Sequence, residues 1–254
     1  MALMSEFQEE RDAVLKHGTW KQKAAYIWEY YKWHIIIPIV VIIAIVSYIV
    51  NVITAPDILL NGVMLNVFHT EASVSADELL TDFYEKQEID SKEEEINLNT
   101  SLYYSVDDIS GNYQSLQALM AWHGAGQLDF LSGDVSALTD LAYRSYFIDL
   151  RECLTEEQIA AYEPYFLYID YDFLLERSEK VNNMEDVSSL EYPDPTKPEE
   201  MSDPIPVMID MTQSKKLNEV YDGLSDTLAF GITSDEEHKE MVSAFLDYLM
   251  ENEE

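Results

Sequence analysis

Hydrophobic positions along this chain follow two regimes. From Ile35 to Thr54, IIIPIVVIIAIVSYIVNVIT, they form a near-continuous run without charge, and from Ile58 onward they come in short clusters divided by polar stretches. A helix of this length rises about 30 Å, the thickness of a bilayer's hydrocarbon core. In lipid, a lone segment satisfies its backbone only as a helix. The run therefore predicts a transmembrane helix. Pro38 falls in its first turn, where a missing N–H costs least. Trp28, Tyr30, Tyr31 and Trp33 stand just before it, as interfacial aromatics do.

The later clusters alternate between strand-like and helix-like spacing. Ile58–Val67 predicts a strand, and Ser75-x-x-Glu78 caps a helix carrying Leu79, Leu80, Phe83 and Tyr84. Ile96–Val106 predicts a second strand, followed by a turn over Asp107–Asn112 and a helix with Leu116, Leu119, Met120 and Trp122 inward. Leu128–Leu131 is a short strand, Ser132-Gly133-Asp134 a capping turn, and Val135–Tyr143 a helix. Phe147–Leu150 is extended, and Thr155-x-x-Gln158 caps another helix. Phe166–Phe173 predicts a strand. From Val181 to Pro206, five of the chain's eight prolines among acidic and small residues predict a long loop. Val207–Met211 (strand), Ser214–Leu224 (helix), Thr227–Thr233 (strand) and a helix capped by Ser234-x-x-Glu237 complete the pattern. This alternation predicts a three-layer α/β domain with a mainly parallel or mixed sheet.

Three regions follow: a helical juxtamembrane arm over 1–34, with capping boxes at Ser5/Gln8 and Thr19/Gln22; the span over 35–56; and a domain over 57–254 with its proline-rich loop at 181–206. Lys16, Lys21, Lys23 and Lys32 precede the span, and the next basic residue is Lys86. The positive-inside rule then predicts a cytoplasmic N-terminus and an extracytoplasmic domain. The leading segment and the apolar run exceed signal-peptide lengths, and Pro56 follows the best small-residue exit at Ala55, which predicts an uncleaved anchor. Within the span, Ala44, Ser47 and Asn51 share one helical face, where either a partner helix or, at Asn51, interfacial water can pair with them.

Charge narrows the choice of partners. The chain has 15 basic and 49 acidic residues, of which residues 1–34 hold five each, so 10 basic and 44 acidic residues fall in the domain. That balance excludes a basic stripe for nucleic acid. The lone Cys153 excludes an intrachain disulfide, and an exported domain without one fits a bacterial cell surface. Its place before a helix start offers either a lowered pKa or a structural thiol.

Gln127–Leu154, QLDFLSGDVSALTDLAYRSYFIDLRECL, and Thr227–Leu249, TLAFGITSDEEHKEMVSAFLDYL, resemble segments of type 2 extracellular solute-binding proteins of ABC transporters. In the first, Asp129, Phe130, Leu131, Ser132 and Asp134, then Phe147, Ile148, Asp149 and Leu150, carry the likeness. The resemblance implies one lobe of that fold, solute binding, and a permease as membrane partner. Phe173–Pro206, where a second lobe would be inserted, is too short to hold one, and a helix replaces the family's usual lipid anchor. A reduced, one-lobed, membrane-anchored relative is implied.

No nucleophile elbow, zinc-type histidine pair or phosphate loop is present. His17, His34, His69, His123 and His238 stand apart in sequence. Asp107-Asp108 and Asp170-Tyr171-Asp172 are either solvated turns or carboxylate pairs near strand ends. The expectation is a non-catalytic protein without cofactor or metal. Open α/β sheets bind ligands beyond the carboxyl ends of their strands. Those ends carry Phe68, His69, Tyr104, Asp107, Ser132 and Asp134, the candidate ligand or partner residues for a solute or peptide. The expected function is a tethered binding module; the alternative is a structural or assembly subunit that contacts another membrane protein.

Overall fold

The computed structural model describes residues 16–68, 70, 73–108, 111–187, 190–222, 225–233 and 238–251. The capping residues expected at Ser5/Gln8 and Ser234/Glu237, and the candidate His69, lie outside them. The chain divides into two units at Ala55/Pro56.

The first unit is the helix α1, Trp20–Thr54. Its Tyr31–Thr54 stretch is long and apolar enough to cross a membrane, and that window is wholly unburied. At its start the Gln22 side-chain oxygen accepts from the Thr19 backbone N–H at 2.9 Å, the half of a capping box that occupies an otherwise orphaned donor. Pro38 lies inside α1.

The second unit is built on one six-stranded mixed sheet. Its strands are β1 Asp57–Met64, β2 Glu94–Asn99, β3 Phe130–Asp134, β4 Phe166–Asp170, β5 Pro204–Asp210 and β6 Leu228–Ile232, in the order β2-β1-β3-β6-β5-β4. β1 pairs in parallel with β2 and β3, while β6, β5 and β4 join by antiparallel pairs. The carboxyl ends of β1, β2 and β3 therefore lie at one end of the sheet.

Side-chain alternation sends β1 into two cores. Leu60 and Met64 join Phe83, Phe130, Phe230 and Phe245 on one face, under α2 (Ala76–Gln87), α8 (Lys215–Tyr221) and α9 (Lys239–Met250). Val63 and Leu65 join Leu119, Leu138, Leu141 and Leu174 on the other, under α3 (Tyr113–Gly124), α4 (Val135–Ala142) and α7 (Tyr171–Asn182). Gly62 sits between them for a steric reason: a Cβ there would lie 2.0 Å from the Phe130 ring, which stacks on Phe230 at 4.7 Å. α2 starts where its capping box predicts, with Ser75 Oγ accepting from Glu78 N and the Glu78 carboxylate accepting from Ser75 N. α6 (Glu156–Tyr162) begins with the expected Thr155/Gln158 box after the short α5, Leu150–Cys153.

Several expectations need correction. The second strand stops at Asn99 instead of reaching Val106. Ser132-Gly133-Asp134 is the end of β3, not a turn. Met120 is exposed on α3. The strand predicted over Phe166–Phe173 ends at Asp170, whose carboxylate accepts from Asp172 N and caps α7. The proline-rich stretch is shorter than 181–206, because α7 runs to Asn182 and β5 begins at Pro204. It is also pinned. Tyr168 N donates to Pro195 O at 2.9 Å, and the Asp170 carboxylate accepts from Ser202 N and Asp203 N.

Candidate functional site

An open cleft of about 820 Å³ lies beyond the carboxyl ends of β1 and β3. Five separate segments wall it: the turn after β1 with Asn66 and Phe68, the segment after β2 with Tyr103 to Asp107, the end of β3 and start of α4, the proline-rich strap at Tyr192 to Pro195, and Thr227 just before β6.

Asn66 organises the first two walls. Its backbone is left-handed, with φ 62°, a conformation that asparagine tolerates better than most residues. Its side-chain amide pairs with Tyr104 in both directions: Nδ2 donates to Tyr104 O at 2.7 Å, and Oδ1 accepts from Tyr104 N at 2.8 Å. Nδ2 also donates to Asp134 Oδ2 at 3.0 Å, and the Ser225 hydroxyl donates to the other Asp134 oxygen. Asn66 thus extends the ladder past the end of β1 and holds Asp134 at the cleft floor.

Asp140 organises the other walls from α4. Its carboxylate accepts from the Tyr104 hydroxyl, from the Tyr192 hydroxyl at 2.6 Å and from Arg144 Nε at 2.7 Å. Burial alone would raise the Asp140 carboxyl; the bonds from Arg144, Tyr104 and Tyr192 outweigh it and hold the group below the usual aspartate value. The Tyr104 and Tyr192 hydroxyls are pushed up, first by burial and then by this carboxylate. The Tyr192 ring stacks on Tyr143 at 4.6 Å, and burial raises the Tyr143 hydroxyl to about 12. One buried carboxylate therefore ties three segments into a rigid wall.

The expected site residues divide. Phe68, Tyr104, Asp107 and Asp134 meet in the cleft. Phe68 and Tyr103 offer exposed rings 6.5 Å apart, and Asp107 is exposed. Tyr104 is a buried wall whose hydroxyl is committed, not a free stacking face. Ser132 does not reach the cleft. Strand alternation turns it toward the opposite core, beside Tyr221. Ser132 opposes the burial-driven rise of the Tyr221 hydroxyl, yet the two complete no hydrogen bond of good geometry. Ala44, Ser47 and Asn51 are exposed along α1.

Asn66, Tyr103, Asp140 and Tyr192 were not singled out from sequence. Two signals existed: an asparagine closing an apolar strand, and Asp140 one helical turn before Arg144 within an apolar helix face. His238 also proves less isolated than its sequence position suggests, since its Nδ1 lies 2.9 Å from Asp129, which is 1% exposed. Asp129 also accepts from Asn61 N at 2.6 Å, so this pair braces β1. Cys153 ends α5, and burial pushes its thiol up to about 12, which removes the option of a lowered pKa. The Asp170 carboxylate is committed to three backbone N–H groups, and no cluster of three metal-ligating side chains occurs among the described residues.

The cleft offers two exposed rings, hydroxyls and carboxylates, and its described lining contains no lysine or arginine. Such a lining suits a neutral or cationic ligand with an apolar face. No family model, no curated protein and no solved structure matches the chain.

Proposed function

We propose that the chain is a single-pass, membrane-tethered binding module, with its N-terminus cytoplasmic and its α/β domain outside, that takes a neutral or cationic solute or short peptide in the cleft beyond β1 and β3. The observation that carries this reading is the cleft itself. Five segments far apart in sequence converge at the sheet end where open α/β folds place ligands, and two side chains, Asn66 and Asp140, hold the walls around Tyr104 and Tyr192 in place. The lysines before the apolar helix support the orientation. The likeness to solute-binding proteins supports a link to a membrane permease.

Thermal unfolding of the full chain in sugar-free detergent, with and without sugars, amino acids and basic or neutral tripeptides, tests the reading. A binder at a hundred times its Kd stabilises by about 2.7 kcal/mol. The expected result is a raised midpoint with one class, lost in Tyr103→Ala and Asp107→Ala. Absence of stabilisation by every class overturns the proposal.

A further inference from the structure

A second recess, of about 460 Å³, lies over the sheet edge formed by β1 and β2. It shares no lining residue with the cleft described above. Besides the Trp122 indole, its polar side chains are all amides: Asn61 from β1, Asn97 and Asn99 from β2, and Gln127 before β3. Trp122 of α3 forms a wall, and it is the sole tryptophan outside the N-terminal helix.

Three features set this recess apart from an ordinary solvated edge. The first is its lack of charge. In a domain with 44 acidic and 10 basic residues, the described lining has none of either. The second is the cost to the strands. Asparagine is depleted in strands, where its side chain competes for backbone partners. Yet Asn61, Asn97 and Asn99 occupy one face of a parallel pair, with Asn61 and Asn97 opposite each other in register. A surface face would be served better by threonine, glutamate or lysine. The third is uncommitted hydrogen-bonding capacity. Asn97 Nδ2 donates to Asn61 Oδ1 at 3.2 Å, and Asn99 Oδ1 accepts from Ser101 N and Oγ. Among the described residues, Asn61 Nδ2, Asn97 Oδ1, Asn99 Nδ2, the Gln127 amide and the Trp122 indole N–H make no hydrogen bond.

The chemistry of these groups is specific. An amide presents paired donors and an acceptor, which match neighbouring hydroxyls that each donate and accept. An indole offers a broad apolar face with a polar rim, suited to the C–H face of a sugar ring. Fixed strands hold the amides in place, and the buried Asp129 braces β1 through Asn61 N. An ionic ligand would find no counter-charge here. The volume lies within the usual range for small-ligand sites.

We propose that this recess is a carbohydrate-binding site, taking one or two rings of a neutral saccharide, independent of the cleft beyond β1 and β3.

The test uses the full chain carrying Trp20→Phe, Trp28→Phe and Trp33→Phe in a zwitterionic, sugar-free detergent, so that Trp122 is the only tryptophan and is excited selectively at the red edge, beyond tyrosine absorption. Soluble malto-, cello-, chito- and galacto-tetrasaccharides are titrated, with spermidine as the charged comparison. The expected result is a saturable change in Trp122 emission with at least one tetrasaccharide and none with spermidine. Asn97→Thr and Asn99→Thr should each weaken binding about tenfold, the loss of roughly one well-placed hydrogen bond. They should also raise the thermal midpoint, because threonine suits a strand better. Purely structural asparagines would give the opposite stability change. Should the triple tryptophan variant fail to fold, calorimetric titration of the unsubstituted chain with the same tetrasaccharides gives the same decision. The proposal is overturned if no tetrasaccharide gives a saturable signal, if both threonine variants bind unchanged, or if only spermidine binds.

Discussion

The two faces of the sheet are built by different chemistry. Under α2, α8 and α9, phenylalanines close the core: Phe83, Phe130, Phe230 and Phe245 lie within 4.7 to 5.3 Å of one another in successive ring pairs. Under α3, α4 and α7 the core instead contains Tyr104, Tyr143 and Tyr192 around the carboxylate of Asp140, with Arg144 at its edge and Arg177 Nη1 donating to Tyr143 O. Packing apolar rings needs no partner chemistry, whereas a buried carboxylate demands directional donors. The first face is closed chiefly by ring packing, and its tyrosine–carboxylate contacts, Tyr248 to Asp82 and Tyr162 to Asp247, tie helix to helix. The second fixes loops at stated positions, and the cleft opens on that side.

Substitutions should separate the two. The largest loss is expected from Phe130→Ala, about 3 to 5 kcal/mol from lost burial and a residual cavity, measured by denaturant unfolding. Asp140→Ala should cost about 3 kcal/mol, since it leaves Arg144 and two tyrosine hydroxyls without their acceptor. Its distinguishing signature is local. Amide exchange at Thr196 and Lys197 should accelerate, whereas Phe130→Ala should destabilise the sheet without singling out that strap. Equal exchange profiles in the two variants would abolish the distinction between the faces.

Asn66→Ala should lose about 2 kcal/mol, combining its bonds to Tyr104 and Asp134 with the strain of a left-handed alanine. The pH dependence has a definite sign. The folded Asp140 carboxyl is held below its unfolded value, so its contribution is complete above about pH 4 and fades as pH falls through the lower folded value. Asp140→Asn should be less stable at neutral pH and should flatten that part of an acid-unfolding curve. The smallest effect concerns the phenylalanine side, where Cys153 sits. With its thiol raised to about 12, Cys153 should stay unreactive toward a disulfide reagent at pH 8 until the domain unfolds.

How much of this was legible in the sequence depended on whether local signals agreed with tertiary demands. α2 and α6 were readable because their capping boxes stand directly before them. α7 was not, because Asp170-Tyr171-Asp172 reads equally as a carboxylate pair, and its apolar residues are few. Only the first three residues of β5, Pro204 to Pro206, read as loop, because prolines lack the ladder donor. The sheet tolerates Pro206 opposite Tyr168, where the β4/β5 register shifts and Tyr168 N turns to Pro195 O instead. The cleft's place followed from strand direction alone, so Phe68, Tyr104, Asp107 and Asp134 were within reach. Ser132 failed on parity: in a strand buried on both faces, nothing in LDFLSGD reveals which residues face which helices. The Tyr104–Asp140 and Asp140–Tyr192 contacts span 36 and 52 residues and leave no local trace.

The most direct test of the central claim is amide hydrogen exchange of the full chain in sugar-free detergent, with and without whichever sugar, amino acid or tripeptide raises the thermal midpoint of the unsubstituted chain but not that of Tyr103→Ala. The account predicts slower exchange at Tyr103 to Asp107 and at Tyr192 to Lys197, the two walls that Asp140 holds together. Protection confined to other parts of the domain, with these two segments unchanged, would contradict it.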